Sequence, residues 1–251
     1  MKELGIKKNF LAIEKEYSAY DNSEIVILSV PLEKSVSVSS RGTAKGPEEI
    51  LKASHHLKFY DEEQNRELCL EKGICTLEPL NLQKLSIEKS LDKIHKEVAK
   101  HIDAGKFVVT LGGEHPLSAA PMFAHNERFP NLSILQIDAH SDLIQDYEES
   151  KYSHAGIMAR VSEFNTKIVQ VGIRSQSKVE AEFRREKQIK TFYAREIKLG
   201  MYGDNWQEMV VKNLSENVYI TFDVGGFDPS CMPATRTPEP GGLFWDETMN
   251  L

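Results

Sequence analysis

Ile134-Leu135-Gln136-Ile137 is a mostly apolar run of strand length that ends at Asp138, with His140 and Asp142 following at every second position. On an extended backbone a period of two points all three side chains the same way. Carboxylates and an imidazole gathered on the lip of a strand form the start of a metal site. Taken alone, these residues fit a solvated loop with one satisfied histidine just as well. Two further apolar runs end in the same chemistry. Lys106 to Leu111 passes through Gly112 and Gly113 to Glu114 and His115, and Val218 to Phe222 leads into Asp223. If the three strands are parallel, their ends meet at one edge of a sheet, which is where open α/β folds bind ligands.

The remaining pattern supplies the helices such a sheet needs. Glu24 to Val30 reads as a first strand, feeding a Ser/Gly-rich loop from Ser35 to Gly46. Pro47, with Glu48 and Glu49 behind it, opens a helix that runs to about Tyr60. Ile74 to Leu80 is a weaker strand. Ser86 caps a long helix whose Ile87, Leu91, Ile94, Val98 and Ile102 fall three or four apart, and Gly105 ends it. A short helix near Ser118 to Ala124 precedes the Ile134 strand. Ser153 to Arg160 enters another helix, Lys167 to Ile173 and Ile189 to Tyr193 are strands, and Ser177 to Gln188 is a charged helix. A helix from roughly Ala194 to Leu214, interrupted at Gly200 to Gly203, leads to the Val218 strand. Strands alternating with helices predict an α/β fold, a three-layer α/β/α arrangement around a central, mostly parallel sheet.

At 251 residues, without a Pro/Ser-rich linker or repeat, residues 1–251 read as a single domain with a full core. A content of 40% hydrophobic and 27% charged residues is that of an ordinary soluble protein. The net charge of -7 argues against a nucleic-acid partner and favours a cationic small molecule. Three cysteines without paired spacing suit a reducing cytoplasm. The N-terminus lacks a signal peptide's apolar core, and no run approaches membrane-spanning length.

Gly112-Gly113-Glu114-His115, Asp138-Ala139-His140-Ser141-Asp142, Ser153-His154-Ala155, the Asp223 to Ser230 segment and Thr237-Pro238-Glu239-Pro240-Gly241-Gly242-Leu243 together resemble the ureohydrolase family of arginases and agmatinases. The likeness runs from about Ile25 to the C-terminus in the family's order, and its wording is closer to agmatinases. It implies an arginase-like fold and a manganese-dependent amidinohydrolase, in the first place an agmatinase. Two Mn2+ ions per subunit would share a bridging hydroxide that attacks the guanidinium carbon, giving urea and, from agmatine, putrescine. It also implies that His115 and Asp142 hold one ion, that His140 holds the other, and that Asp138 and Asp223 bridge both. His154 resembles a proton-relay histidine, although a histidine bonded to backbone at a helix start also fits its position. Glu247 aligns with an acid that clamps the guanidinium, although a surface acid on a frayed tail fits as well. A homo-oligomer is the family's usual state.

Three departures from the family pattern favour a second reading, a catalytically impaired homologue serving as a binding or oligomer partner or standing as a non-functional remnant. Gly225 stands where the family has a second aspartate, a ligand of one ion, so the ion held by His140 is expected to bind weakly. Arg236 replaces a glycine and would be strained if that position needs positive φ. The chain stops at Leu251, where family members continue into a strand inside the sheet, which would leave apolar flanks bare beside the site-bearing strands. For substrate choice, the candidates are the Ser35–Lys45 loop and the segment from Gln145 to Ser153. The second carries Asp146, Glu148 and Glu149, which would suit a terminal amine unless they are simply solvated.

Overall fold

The computed structural model describes residues 2–34, 42–145 and 152–251. The fold is a parallel-sheet α/β fold whose chain divides into two compact units, Met1–Ala124 and His125–Leu251. Much of the Ser35–Lys45 loop, and Asp146, Glu148 and Glu149 with it, lies outside the described residues.

In the first unit, β1 (Ile25–Val30) lies between β2 (Ile74–Thr76) and β3 (Phe107–Gly112), and both pairings are parallel. The helix expected from Pro47 to Tyr60 is α1 (Gly46–Ser54) and stops six residues sooner. The Ser54 Oγ turns back to the Leu51 carbonyl at 2.6 Å and also takes the Leu11 N–H, so the last turn is held by side-chain bonds instead of continuing. The weaker strand narrows to three residues for a similar reason. Beyond Thr76, single hydrogen bonds to Ile27 and Ser29 carry the chain along β1 without a ladder.

The long helix, α2 (Ile87–Asp103), follows the predicted stripe: Ile94 and Val98 are fully buried against Leu28 and Val30 of β1, with Ile87, Leu91 and Ile102 at the margin. Ser86 caps it by accepting the Lys89 N–H, and Gly105 at φ 74 releases the chain into β3. α3 (Ala119–Asn126) follows a turn from His115 to Ser118.

The second unit holds a four-stranded parallel sheet ordered β6-β5-β4-β7, formed by β4 (Ser133–Ile137), β5 (Ile168–Ile173), β6 (Lys190–Tyr193) and β7 (Val218–Phe222). Between the strands come α4 (Ile157–Val161), α5 (Lys178–Glu186), α6 (Ala194–Lys198) and α7 (Trp206–Val211). The interruption read at Gly200 to Gly203 is a full break between α6 and α7, with both glycines at positive φ. Leu135, Ile137, Val169, Val171 and Phe192 pack against Trp206 and Val210 to form the core. β7 is outermost in its sheet and keeps Val218, Ile220 and Phe222 exposed along one face. α8 (Trp245–Met249) closes the described chain. No helix among the described residues is long and apolar enough to cross a membrane.

Candidate metal centre

β4 and β7 are paired in register, Ile137 opposite Phe222, so Asp138 and Asp223 leave the sheet side by side at the carboxyl ends of neighbouring strands. The Asp223 N–H bonds the Ile137 carbonyl at 2.9 Å and locks the two ends together. The Asp138 carboxylate is completely buried. Its Oδ1 accepts the His140 N–H at 2.9 Å and stands 3.5 Å from His140 Nδ1, while its Oδ2 accepts from Gln136 Nε2 at 3.2 Å.

Beneath this turn runs a ladder of buried polar side chains that sequence reading missed. Gln136, Gln170 and Thr191 occupy matching positions on β4, β5 and β6. Gln170 Nε2 donates to Gln136 Oε1 at 2.7 Å and to the Ser141 carbonyl at 2.9 Å, and Thr191 Oγ1 donates to Gln170 Oε1 at 2.8 Å. Gln136 Nε2 also reaches the His140 carbonyl. Because each buried amide is paired, the ladder holds the polar turn over an otherwise apolar sheet without leaving groups unsatisfied. The available signal was a glutamine inside each of two strands that are otherwise apolar.

Three more braces shape the segment after Asp138. Gly172, at φ 90, kinks β5 where an added Cβ would lie 3.1 Å from the Asp138 carbonyl. Glu180 of α5, buried, accepts Ser141 Oγ at 2.7 Å and the Leu143 N–H at 3.2 Å through Oε1. Asp142 itself sits at φ 52, in the left-handed region, and its carbonyl accepts the Met158 and Ala159 N–H groups of α4. His154 begins the short turn before α4, and Ala155 in that turn accepts the Ile144 N–H at 3.0 Å. The turn that carries Asp142 and the turn that begins at His154 are therefore tied by backbone hydrogen bonds.

The acids converge electrostatically on His140. Its contact with Asp138 raises the imidazole pKa above its ordinary value, burial opposes this, and the charges of Asp138, Asp142 and Asp223 add to the rise. Carboxylates collected around one imidazole, with no thiolate among them, form a donor set suited to a hard or borderline divalent cation such as Mn2+. In the first unit, His115 starts the turn from His115 to Ser118, with Gly113 and Glu114 between it and the end of β3.

The arginase family model matches residues 23–251. The chain belongs to the arginase family. Among relatives, the N(1)-aminopropylagmatine ureohydrolase of Synechocystis sp. is 35% identical over 250 residues, spanning 97% of this chain and 80% of that protein. The agmatinase of Bacillus anthracis is 31% identical over 242 residues, 94% of this chain and 79% of that one. Among solved structures, the agmatine ureohydrolase of Thermoplasma volcanium superposes with a TM-score of 0.79 at 29% identity, covering 90% of this chain and 75% of that one. The arginase from Bacillus cereus, at 22% identity and a TM-score of 0.75 over 90% of this chain and 83% of its own, shares the fold.

Three positions that the sequence singled out have defined surroundings. Gly225 follows Asp223 closely, and its N–H donates to Asp223 Oδ1 at 2.6 Å, so a backbone bond closes the turn at the position where the resemblance puts a second aspartate. Glu247 sits in the first turn of α8, where Oε1 accepts the Phe244 N–H at 2.6 Å and caps the helix. Arg236 is not among the non-glycine residues at positive φ, so its backbone carries none of the strain the sequence suggested. Nearby, Asp228 is fully occupied: it accepts the Ser230 N–H and Oγ and the Gly241 and Gly242 N–H groups, which sets its pKa at about 2.

Arg174, which no motif in the sequence singled out, holds the loop that carries Glu239. Arg174 donates to the carbonyls of Gly172, Gly225, Gly226, Phe227 and Glu239, at 2.7–3.2 Å. Glu239 then brings its Oε1 to 3.6 Å from His140 Nε2.

Proposed function

We propose that this chain is a manganese-dependent amidinohydrolase that cleaves a guanidino-alkylamine, in the first place agmatine, into urea and putrescine. The observation that carries the reading is the Asp138–His140 pair at the end of β4 with Asp223 on the adjoining strand end. His115, Asp138, His140, Asp142 and Asp223 are the residues that would hold the cations, which would supply an activated water at neutral pH. The net charge of -7 favours approach of a cationic substrate. His154 would hand a proton to the departing amine as the guanidinium carbon–nitrogen bond breaks. Glu247 is the proposed guanidinium acid, through the oxygen not engaged by Phe244. A homo-oligomer in a reducing cytoplasm completes the proposal, in keeping with three free cysteines.

Two observations favour other readings. Relatives at 34–35% identity are named N(1)-aminopropylagmatine ureohydrolase, which supports a longer polyamine-bearing guanidine as substrate. Gly225 supports an impaired homologue that keeps one ion. One experiment separates all three: metal stoichiometry together with urea release from agmatine, N(1)-aminopropylagmatine, arginine and guanidinobutyrate. Urea from agmatine with two bound Mn2+ supports the proposal, and a preference for the aminopropyl compound moves the substrate. One ion without urea from any of the four leaves the impaired homologue.

A further inference from the structure

The two nitrogens of His140 face different acids. Nδ1 stands 3.5 Å from Asp138 Oδ1, on the side of the proposed ligands, and Nε2 stands 3.6 Å from Glu239 Oε1. Two donors that each lie about 2.0–2.2 Å from one ion are separated by roughly 3–3.5 Å, so the Asp138–Nδ1 side has the spacing of a shared cation. An imidazole that binds metal through one nitrogen carries its proton on the other, and a carboxylate there fixes the tautomer, the ring orientation and the basicity of the ligating atom.

We infer that Glu239 is the positioning residue for His140: its carboxylate accepts a hydrogen bond from the Nε2 proton and commits Nδ1, beside Asp138, to a divalent cation. This rests on the metal-dependent reading above and extends it to a residue outside the proposed ligand set. Glu239 is built to hold its place. Pro238 and Pro240 restrict the backbone on either side. Its carbonyl is gripped by Arg174 Nε at 3.1 Å and Nη2 at 2.7 Å. Immediately beyond, the Asp228 carboxylate holds the Gly241 and Gly242 N–H groups. None of these contacts uses the Glu239 side chain, so truncating it leaves the loop anchored. The side chain is 35% exposed, open enough to adjust its distance when the ring is charged or ligated. Residue 225 offers no carboxylate, so the orientation of His140 weighs more in holding the cation on its side.

The test compares the full chain with E239A and E239Q, titrating each with Mn2+ and recording imidazole 15N shifts with Zn2+ as a diamagnetic probe. Glu239→Ala is expected to weaken binding by roughly 10–100-fold, the usual cost of losing such a partner. Glu239→Gln keeps an acceptor and is expected to fall between. The parent spectrum should show Nδ1 ligated and Nε2 protonated, and metal-free melting should be unchanged in both variants. Parent-like Mn2+ affinity in E239A, or ligation through Nε2, overturns the role of Glu239 while leaving the metal reading intact. A parent chain that binds neither Mn2+ nor Zn2+ overturns the metal reading itself, and this inference with it.

Discussion

Ser141 Oγ donates a 2.7 Å hydrogen bond to Oε1 of Glu180, a residue 39 positions further along the chain. The same oxygen takes the Leu143 N–H, and Oε2 takes the Ser177 N–H at the start of α5. One buried carboxylate thus fixes the residues on either side of Asp142 and caps the helix that carries it. Glu180→Ala leaves these donors without their acceptor, at a cost of about 1–3 kcal/mol for each group left buried and unpaired. Denaturant unfolding should show a loss in that range or above, and Mn2+ titration should show weaker binding, because Asp142 then loses its support. Parent-like stability would mean that the turn holds its shape unaided.

Arg174→Lys tests the closing loop. A lysine carries three donors on a single nitrogen and cannot reproduce the planar fork that now reaches five carbonyls. The variant should lose about 1–3 kcal/mol of stability, from carbonyls that no longer find a partner. Amide hydrogen exchange should rise at Gly226 and at Gly241 and Gly242, which belong to the segments Arg174 draws together. A shift spread evenly over the chain would show a global effect in place of this local one.

Asp228 gives the fold a pH dependence of known sign. Its pKa is depressed to about 2 from 3.8 by bonds to Ser230, Gly241 and Gly242. A depressed carboxyl contributes stability above its unfolded pKa and loses that contribution as pH falls towards the folded value. Between about pH 4 and pH 2 the parent should therefore lose stability more steeply than Asp228→Asn. Urea midpoints measured across that window for both proteins check this, and parallel curves would contradict it.

The strand ends were legible because their chemistry is local: Asp138 and Asp223 follow apolar runs directly, and His140 and Asp142 come at alternate positions after Asp138. The long stripe of α2 was legible for the same reason, and Ile94 and Val98 are buried as its spacing required. What stayed hidden acts across the chain. Gln136 and Gln170 meet through strand register, Glu180 reaches back 39 residues, and Arg174 bonds carbonyls as far as Glu239. No local pattern marks such partners. Glu247 shows the converse limit, since an acid three residues into a helix looks alike in sequence whether it caps the helix or faces a substrate.

Gly225 allows the most direct test of the proposed chemistry. Its φ lies outside the left-handed region, so a side chain is compatible with the backbone, yet an added Cβ would stand 2.9 Å from Asp223 Oδ1. That oxygen belongs to a side chain that can turn by a few tenths of an ångström, and a bound cation would draw it that way. Gly225→Asp should therefore add a carboxylate next to Asp223 and tighten the more weakly held ion by more than the ~10–100-fold typical of partners outside the ligand set. Gly225→Ala supplies the crowding without the charge and should bind no better than the parent, or slightly worse. Mn2+ stoichiometry at equilibrium dialysis, measured alongside urea release, distinguishes these outcomes. A gain confined to Gly225→Asp identifies the missing carboxylate as the limit on metal binding. Equal behaviour of the two variants places that limit elsewhere.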